Sequence, residues 1–329
     1  MIDRAYGALV GGAIGDAMGM PASFLTRKEI RETYGFISDF LKPEAEKQVY
    51  HAQLDAGDIT DDTMEGVILS KVLIENNGFS ESAFNEEMKK WAIEQKMLES
   101  TVIGPSTRRF LEALIEGKDP KLTSGKGCTN GSAMRVAPVG IKYYDDFDAC
   151  VKAAAESSLP SHGSKPAVAA ACAVAAAVAA GVKGGYCASD VLNIAADAAE
   201  YGEKVGADIC APSVSKRIRM IENIVDGCGD EKDISDVLDE IVGIFGASMF
   251  AYESVPVALA VFYAVKGNAR DGILAAVNAG DDADTNGSIC GAICGAYSGT
   301  KYLPDRWMDI VQKKSSTDFK KTAEELLKR

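Results

Sequence analysis

Histidine is nearly missing from this chain, with only His51 and His162 in 329 residues, and none of its eight cysteines stands in a C-x-x-C pair. Zinc and iron–sulfur centres draw on those ligands, so both are disfavoured. Eight cysteines without a closely spaced framework fit a reducing compartment, and Cys290 and Cys294 read as small buried residues on one helix face. Basic charge is also short: 35 Lys and Arg stand against 48 Asp and Glu, a net charge of −13 with no basic stripe, which argues against a nucleic-acid partner. No apolar run reads as a membrane span. The longest uncharged stretch, Pro166 to Val182, is mostly alanine and reads as a helix buried in a bundle, so no membrane partner is expected. Arg4 followed by Ala5 to Gly15 has the outline of a signal peptide, but Asp16 and the regular glycines argue for mature cytoplasmic sequence.

Strand signals are scarce too. Aromatic residues make up 7% of the chain and alternating patterns are few, whereas apolar residues three and four apart recur in segments such as Met64 to Ile74, Ala149 to Ala155 and Val237 to Phe245. With no proline- or serine-rich linker and no repeat, the expected fold is all-α, a single domain over residues 1–329. Gly7, Gly11, Gly15 and Gly19 step by four, as do Gly287, Gly291 and Gly295. Each series bares one side of a helix for close packing, and the pattern is not the G-x-G-x-x-G of a dinucleotide fold.

Against this background stand two acidic clusters far apart in sequence, Thr60-Asp61-Asp62-Thr63 and Asp282-Ala283-Asp284-Thr285. Asp62 and Thr63 are good cap residues for the helical pattern that follows, and one aspartate would suffice for capping. Two adjacent aspartates flanked by threonines, with Asp58 just upstream, exceed that need. If the clusters converge, Asp61, Asp62, Asp282 and Asp284 bring together four negative charges that two divalent cations would neutralise, with Thr60 and Thr285 adding neutral oxygens. An all-oxygen set favours Mg²⁺, Mn²⁺ or Ca²⁺. An EF-hand is excluded, because Ile293 stands where the loop's last glutamate belongs, and a D-x-D-x-T phosphatase motif fails at Asn286.

Between the clusters, Gly125 to Arg135 forms a glycine-rich loop opening into a helical stretch, readable as an anion-binding nest or as an ordinary turn. His162 precedes the alanine-rich segment, where a capping or core role competes with a functional one.

Together these motifs resemble the ADP-ribosylglycohydrolase family. Gly15-Asp16-Ala17-Met18-Gly19 is similar to its opening G-D-A-x-G, Thr60 to Thr63 to its T-D-D-T, Asn130 to Arg135 to its N-G-[AS]-x-M-R, and Gly280 to Thr285 to its G-G-D-T-D-T, with His162 at its loop histidine. The resemblance implies a compact orthogonal multi-helix bundle with a binuclear Mg²⁺ centre, Mn²⁺ being an alternative. Metal ligands would be Thr60, Asp61, Asp62, Asp282, Asp284 and Thr285. Asp61, Asp62 and Asp284 would be catalytic, and Asn130, Gly131, Ser132, Ala133 and His162 would bind substrate. The implied reaction is hydrolysis of an ADP-ribosyl N- or O-glycosidic bond by metal-activated water, on ADP-ribosylated protein or a small ADP-ribosyl conjugate. Hydrolysis of smaller ribosides such as nucleosides and a non-catalytic binding or structural role are the alternatives. This chain departs from the family at two positions. Ser23 stands where the family has a glutamate, which leaves Asp58 or a cluster aspartate as the base, and Asp281 replaces the second glycine of G-G-D, adding a charge beside the site.

Overall fold

The computed structural model describes residues 1–229 and 233–328. Helices run from end to end, and among the described residues β pairing is confined to isolated bridges between Leu25 and Asp281, Thr129 and Phe250, and Ser164 and Ala207. The fold is all-α, as the periodicity predicts. Helix starts lie upstream of the apolar patterns because polar caps extend them. Asp146 accepts from the Ala149 N–H to open Phe147–Ser158, and Asp233 accepts from the Asp236 N–H to open Ile234–Phe245.

The opening helix, Ile2–Gly19, packs antiparallel on the helix Ala283–Ser298 and so joins the two ends of the chain. Its glycines register against those of its partner: Gly7 faces Gly295, Gly11 faces Gly291 and Gly15 faces Gly287. A Cβ on Gly7 would lie 2.5 Å from the Gly295 carbonyl oxygen, and one on Gly15 would overlap the Gly287 backbone. The two helices are therefore in backbone contact. One turn further on, Gly19 meets Ala283, which brings Asp16 level with the start of the partner helix and its Asp284.

Gly15→Ala is expected to destabilise the protein by about 2–3 kcal/mol, because rigid backbone stands where the methyl must go. Gly243, in the helix Ile234–Phe245, has open space at its Cβ position, and Gly243→Ala should stabilise by about 0.5–1 kcal/mol. Urea unfolding measures both. A Gly15→Ala midpoint equal to that of the parent would mean that the helices are further apart than described.

The alanine helix, Lys165–Lys183, is buried from Pro166 to Val182 and packs on Ala188–Val205, Phe147–Ser158, Ala137–Lys142 and Ala283–Ser298. By length and composition it passes for a membrane span, but its apolar surface is already covered by protein. Small side chains make this possible: Gly181 meets Ala296, and Gly140 meets the Ala175 carbonyl.

Candidate active site

The helix that carries the first cluster begins at Asp61, earlier than the capping reading of Asp62 and Thr63 places it. Thr60 is the cap, with extended backbone and a hydroxyl accepting from the Asp62 N–H at 3.3 Å. A helix start leaves further amides unpaired. Asp16 of the opening helix serves them from outside, accepting the Thr60 N–H at 3.0 Å, the Thr60 hydroxyl at 2.9 Å, the Thr63 N–H at 3.2 Å and the Thr63 hydroxyl. With capping done by Thr60 and Asp16, the carboxylates of Asp61 and Asp62 are spared for another use. The one signal of Asp16 in the sequence is that it is the only acid between Ala5 and Gly19, a run otherwise made of glycine and apolar residues.

The second cluster is pinned by its backbone. The Asp282 N–H donates to the Ala247 carbonyl at 3.1 Å, and the Asp281 N–H donates to that of Leu25 at 2.8 Å. Asp281 has φ +55° and lies opposite Leu25, and its carbonyl accepts from the N–H of Phe24, itself at φ +64°. Glycine, the residue the resemblance puts here, adopts this left-handed conformation freely, and aspartate is among the residues that tolerate it. The Asp281 residue is exposed, and the cavity wall begins at Asp282.

The two clusters meet. The Thr285 hydroxyl lies 3.4 Å from Asp62 Oδ2, across 223 residues of sequence, and the Thr60 hydroxyl is equally far from the same oxygen. Asp61, Asp62, Asp282, Asp284 and Thr285 line a cavity of about 60 Å³, with Thr60 buried beside it. That is room for about two water-sized groups. Both clusters sit at the first turn of a long helix, where exposed amides and the helix dipole favour negative charge.

Of the residues that the resemblance assigns to substrate, Asn130 and Gly131 line this cavity. The Asn130 amide donates to Asp282 Oδ2 at 2.6 Å and to the Ser254 hydroxyl at 3.1 Å. Ser132, Ala133 and His162 lie behind the wall. The one-turn helix Gly131–Met134 rotates Ser132 inward, where its hydroxyl donates to the Ala167 carbonyl at 3.3 Å, and Ala133 has no exposure. His162 also has none, and its ring nitrogens face the Ser161 hydroxyl at 2.8 Å and the Thr129 hydroxyl at 3.1 Å. The ring packs so closely on Gly131 that a Cβ there would come within 2.7 Å of Nε2. Burial, then Arg135 and Arg109, hold the His162 imidazole well below its usual pKa, so it is neutral. The loop amides of the proposed nest are partly spent, Gly127 N–H on the Ser124 carbonyl and Asn130 N–H on that of Met249. Asp58 is engaged elsewhere, paired with Lys314 at 2.6 Å and capping the turn at Asp55.

His51 is a wall residue that sequence reading passed over. It is 2% exposed, and its Nε2 lies 3.2 Å from Asp284 Oδ2. Its rarity in the chain and its position ten residues before Asp61 were the only signals available.

Negative charge dominates the cavity. Burial first, then Glu65, Asp284 and Asp16, raise the Asp61 carboxyl well above its usual value. Burial first, then Asp16, Asp284 and Asp61, do the same to Asp62, and burial and Asp284 raise Asp282. Burial also opposes ionisation of Asp284, but His51, Ser23 and the Thr285 N–H hold that carboxyl below the ordinary range. Asp16 is pushed up from 3.8 to about 6, burial outweighing its hydroxyl and amide donors. Asp62 Oδ1 and Asp284 Oδ1, both buried, have no hydrogen-bond partner. Among the described residues no three Asp, Glu, His or Cys groups draw close enough to form a finished cage. The chemistry of the donors fits a divalent cation all the same, since orphaned carboxylate oxygens and mutual repulsion are what such an ion relieves.

A carboxyl whose pKa is higher in the folded than in the unfolded protein contributes stability below its unfolded value and loses it as pH rises through the folded one. Chelator-treated protein should therefore lose thermal stability between about pH 4 and 6, the interval set by Asp16, with Asp61, Asp62 and Asp282 adding to the loss. Melting curves with EDTA and with Mg²⁺ or Mn²⁺ test this. A midpoint that rises across the same interval would contradict the electrostatics.

Comparison with known proteins places the chain in a family. The ADP-ribosylglycohydrolase family model matches residues 1–329. The uncharacterised protein YegU of Escherichia coli K12 is 28% identical over 328 residues, covering 99% of this chain and 97% of its own. ADP-ribosylarginine hydrolase Tri1 of Pseudomonas putida GB-1 is 28% identical, with 100% of this chain and 79% of that protein covered. Among solved structures, an ADP-ribosylglycohydrolase-related protein complex shares the fold, with a TM-score of 0.71 over 99% of this chain and 97% of that one at 24% identity. The match runs the length of a chain whose two distant aspartate clusters form one site, and the protein accordingly belongs to the ADP-ribosylglycohydrolase family of hydrolases acting on glycosyl bonds.

Proposed function

We propose that the protein hydrolyses the N- or O-glycosidic bond of an ADP-ribosyl group with divalent cations held between its aspartate clusters. The observation that carries this reading is the pair of buried, partnerless oxygens, Asp62 Oδ1 and Asp284 Oδ1, in a cavity shared with Asn130 and Gly131. Thr60, Asp61 and Asp62 would hold Mg²⁺ or Mn²⁺ from one side, and Asp282, Asp284 and Thr285 from the other. Bound ions supply Lewis acidity and a water of lowered pKa. The protein does the rest. Asn130, whose two amide hydrogens are spent on Asp282 and Ser254, keeps its side-chain oxygen to accept from a ribose hydroxyl, and Gly131 beside it lets the loop seat against His162 behind the wall. Asp61, Asp62 and Asp284 place negative charge where the anomeric carbon becomes cationic, and a carboxylate oxygen among them accepts the proton of the attacking water. Tri1 is named for ADP-ribosylarginine, so a protein bearing ADP-ribose on arginine is the first substrate to try.

A second reading, hydrolysis of smaller ribosides, draws on Asp281 and Glu253. Asp281 adjoins cavity-lining Asp282, and Glu253 accepts from Ser248 beside cavity-lining Met249, so both add negative charge that opposes a diphosphate. A panel of ADP-ribosylarginine, ADP-ribosylserine and common nucleosides, with and without Mg²⁺ or Mn²⁺, separates the readings. Cation-dependent release of ADP-ribose is expected. Turnover confined to nucleosides would replace the first reading with the second, and inactivity on all of them would remove both.

A further inference from the structure

Ser23 and His51 lie against the same residue, Asp284. The serine hydroxyl is buried without a well-formed hydrogen bond, and its side chain is too short to add a carboxylate to the site. The imidazole of His51, also buried, presents Nε2 to Asp284 Oδ2, while Nδ1 has no partner. His162 shows what a structural histidine in this fold looks like, with both ring nitrogens engaged by hydroxyls. His51 instead has one nitrogen idle and the other aimed at a carboxylate whose second oxygen is itself unpaired. The spacing has a further meaning. Adjacent ligands on an octahedral ion with bonds of about 2.1 Å stand about 3.0 Å apart, close to the 3.2 Å between His51 Nε2 and Asp284 Oδ2.

We propose that His51 is a metal ligand, taking through Nε2 the place beside Asp284 that Ser23 is too short to fill. It turns an otherwise all-oxygen centre into a mixed nitrogen and oxygen one, and so favours Mn²⁺ over Mg²⁺, since an imidazole donor adds more affinity for the later metal. The inference rests on the metal centre of the proposed function.

The test uses full-length protein loaded with Mn²⁺ and a pulsed electron paramagnetic resonance measurement of ¹⁴N coupling to the bound ion. Parent protein should show imidazole nitrogen coupling, and His51→Ala and His51→Gln should lose it. The chain has only one other histidine, and both nitrogens of that ring are taken, so the loss assigns the signal. Calorimetric titration should show Mn²⁺ affinity falling by about tenfold or more in either variant, and Mg²⁺ affinity falling less, with far-UV circular dichroism confirming the fold. Bound Mn²⁺ without nitrogen coupling in the parent protein overturns the role of His51 and leaves the metal centre standing. Coupling that persists in His51→Gln overturns it equally. A parent protein that takes up no Mn²⁺ or Mg²⁺ removes the metal centre itself, and this inference with it.

Discussion

Asp62→Asn should lower turnover by about a thousandfold and, with metal chelated, raise the melting temperature. The two effects share one cause. Asp62 is buried among Asp16, Asp61, Asp282 and Asp284, and its Oδ1 makes no hydrogen bond, so its charge is unfavourable for the fold and useful only to a cation or a developing positive charge. Asparagine keeps the shape and removes the charge. In the parent protein a divalent cation should raise the melting temperature, and in Asp62→Asn most of that increase should vanish. Turnover, calorimetric titration and melting in EDTA check the three parts. A variant that keeps full turnover would take Asp62 out of catalysis, and one that melts lower in EDTA would show its carboxylate to be a structural acceptor.

Arg135→Met is expected to cost about 3–5 kcal/mol of stability. Arg135 has no exposure. It donates to Glu65 at 2.7 Å, to the Ser161 hydroxyl at 2.7 Å and to the Ser157 carbonyl at 3.1 Å, and its guanidinium lies over the Phe84 ring. Glu65 belongs to the Asp61–Glu75 helix, one turn beyond Asp61, and Arg135 follows the helix that begins at Gly131. The ion pair therefore fastens the first aspartate cluster to the Asn130 loop. Removing the arginine strands a buried carboxylate, which is where most of the cost arises. The double variant Glu65→Leu, Arg135→Met should recover much of the stability, because no uncompensated charge remains. Urea unfolding of the single and double variants decides this. A loss below about 1 kcal/mol for the single variant would mean that Glu65 is neutralised by other means.

Much of this architecture is legible in the sequence. The four-residue glycine steps foretell helices in close contact, and the contact between them is the one that carries the second cluster to the first. The alanine stretch from Pro166 reads as a buried helix and is one. The Asn130 loop is less transparent. Its motif spans neighbouring residues, but a helical turn sends Asn130 and Gly131 to the cavity and Ser132 and Ala133 to the core. His162 stands directly behind Gly131 with the same ambiguity, since a histidine that supports a wall and one that forms it look alike in sequence.

Sequence alone determined the helical class, the glycine faces and the oxygen-rich character of both clusters, because helical period, backbone sterics and donor chemistry are properties of neighbouring residues. Tertiary structure decided which side chains face the cavity. It made Asp16 the cap of another helix's first turn, which freed Asp61 and Asp62, and it set His51 against Asp284 where Ser23 falls short. Those assignments depend on which distant segments meet and at what angle, and no local pattern encodes that.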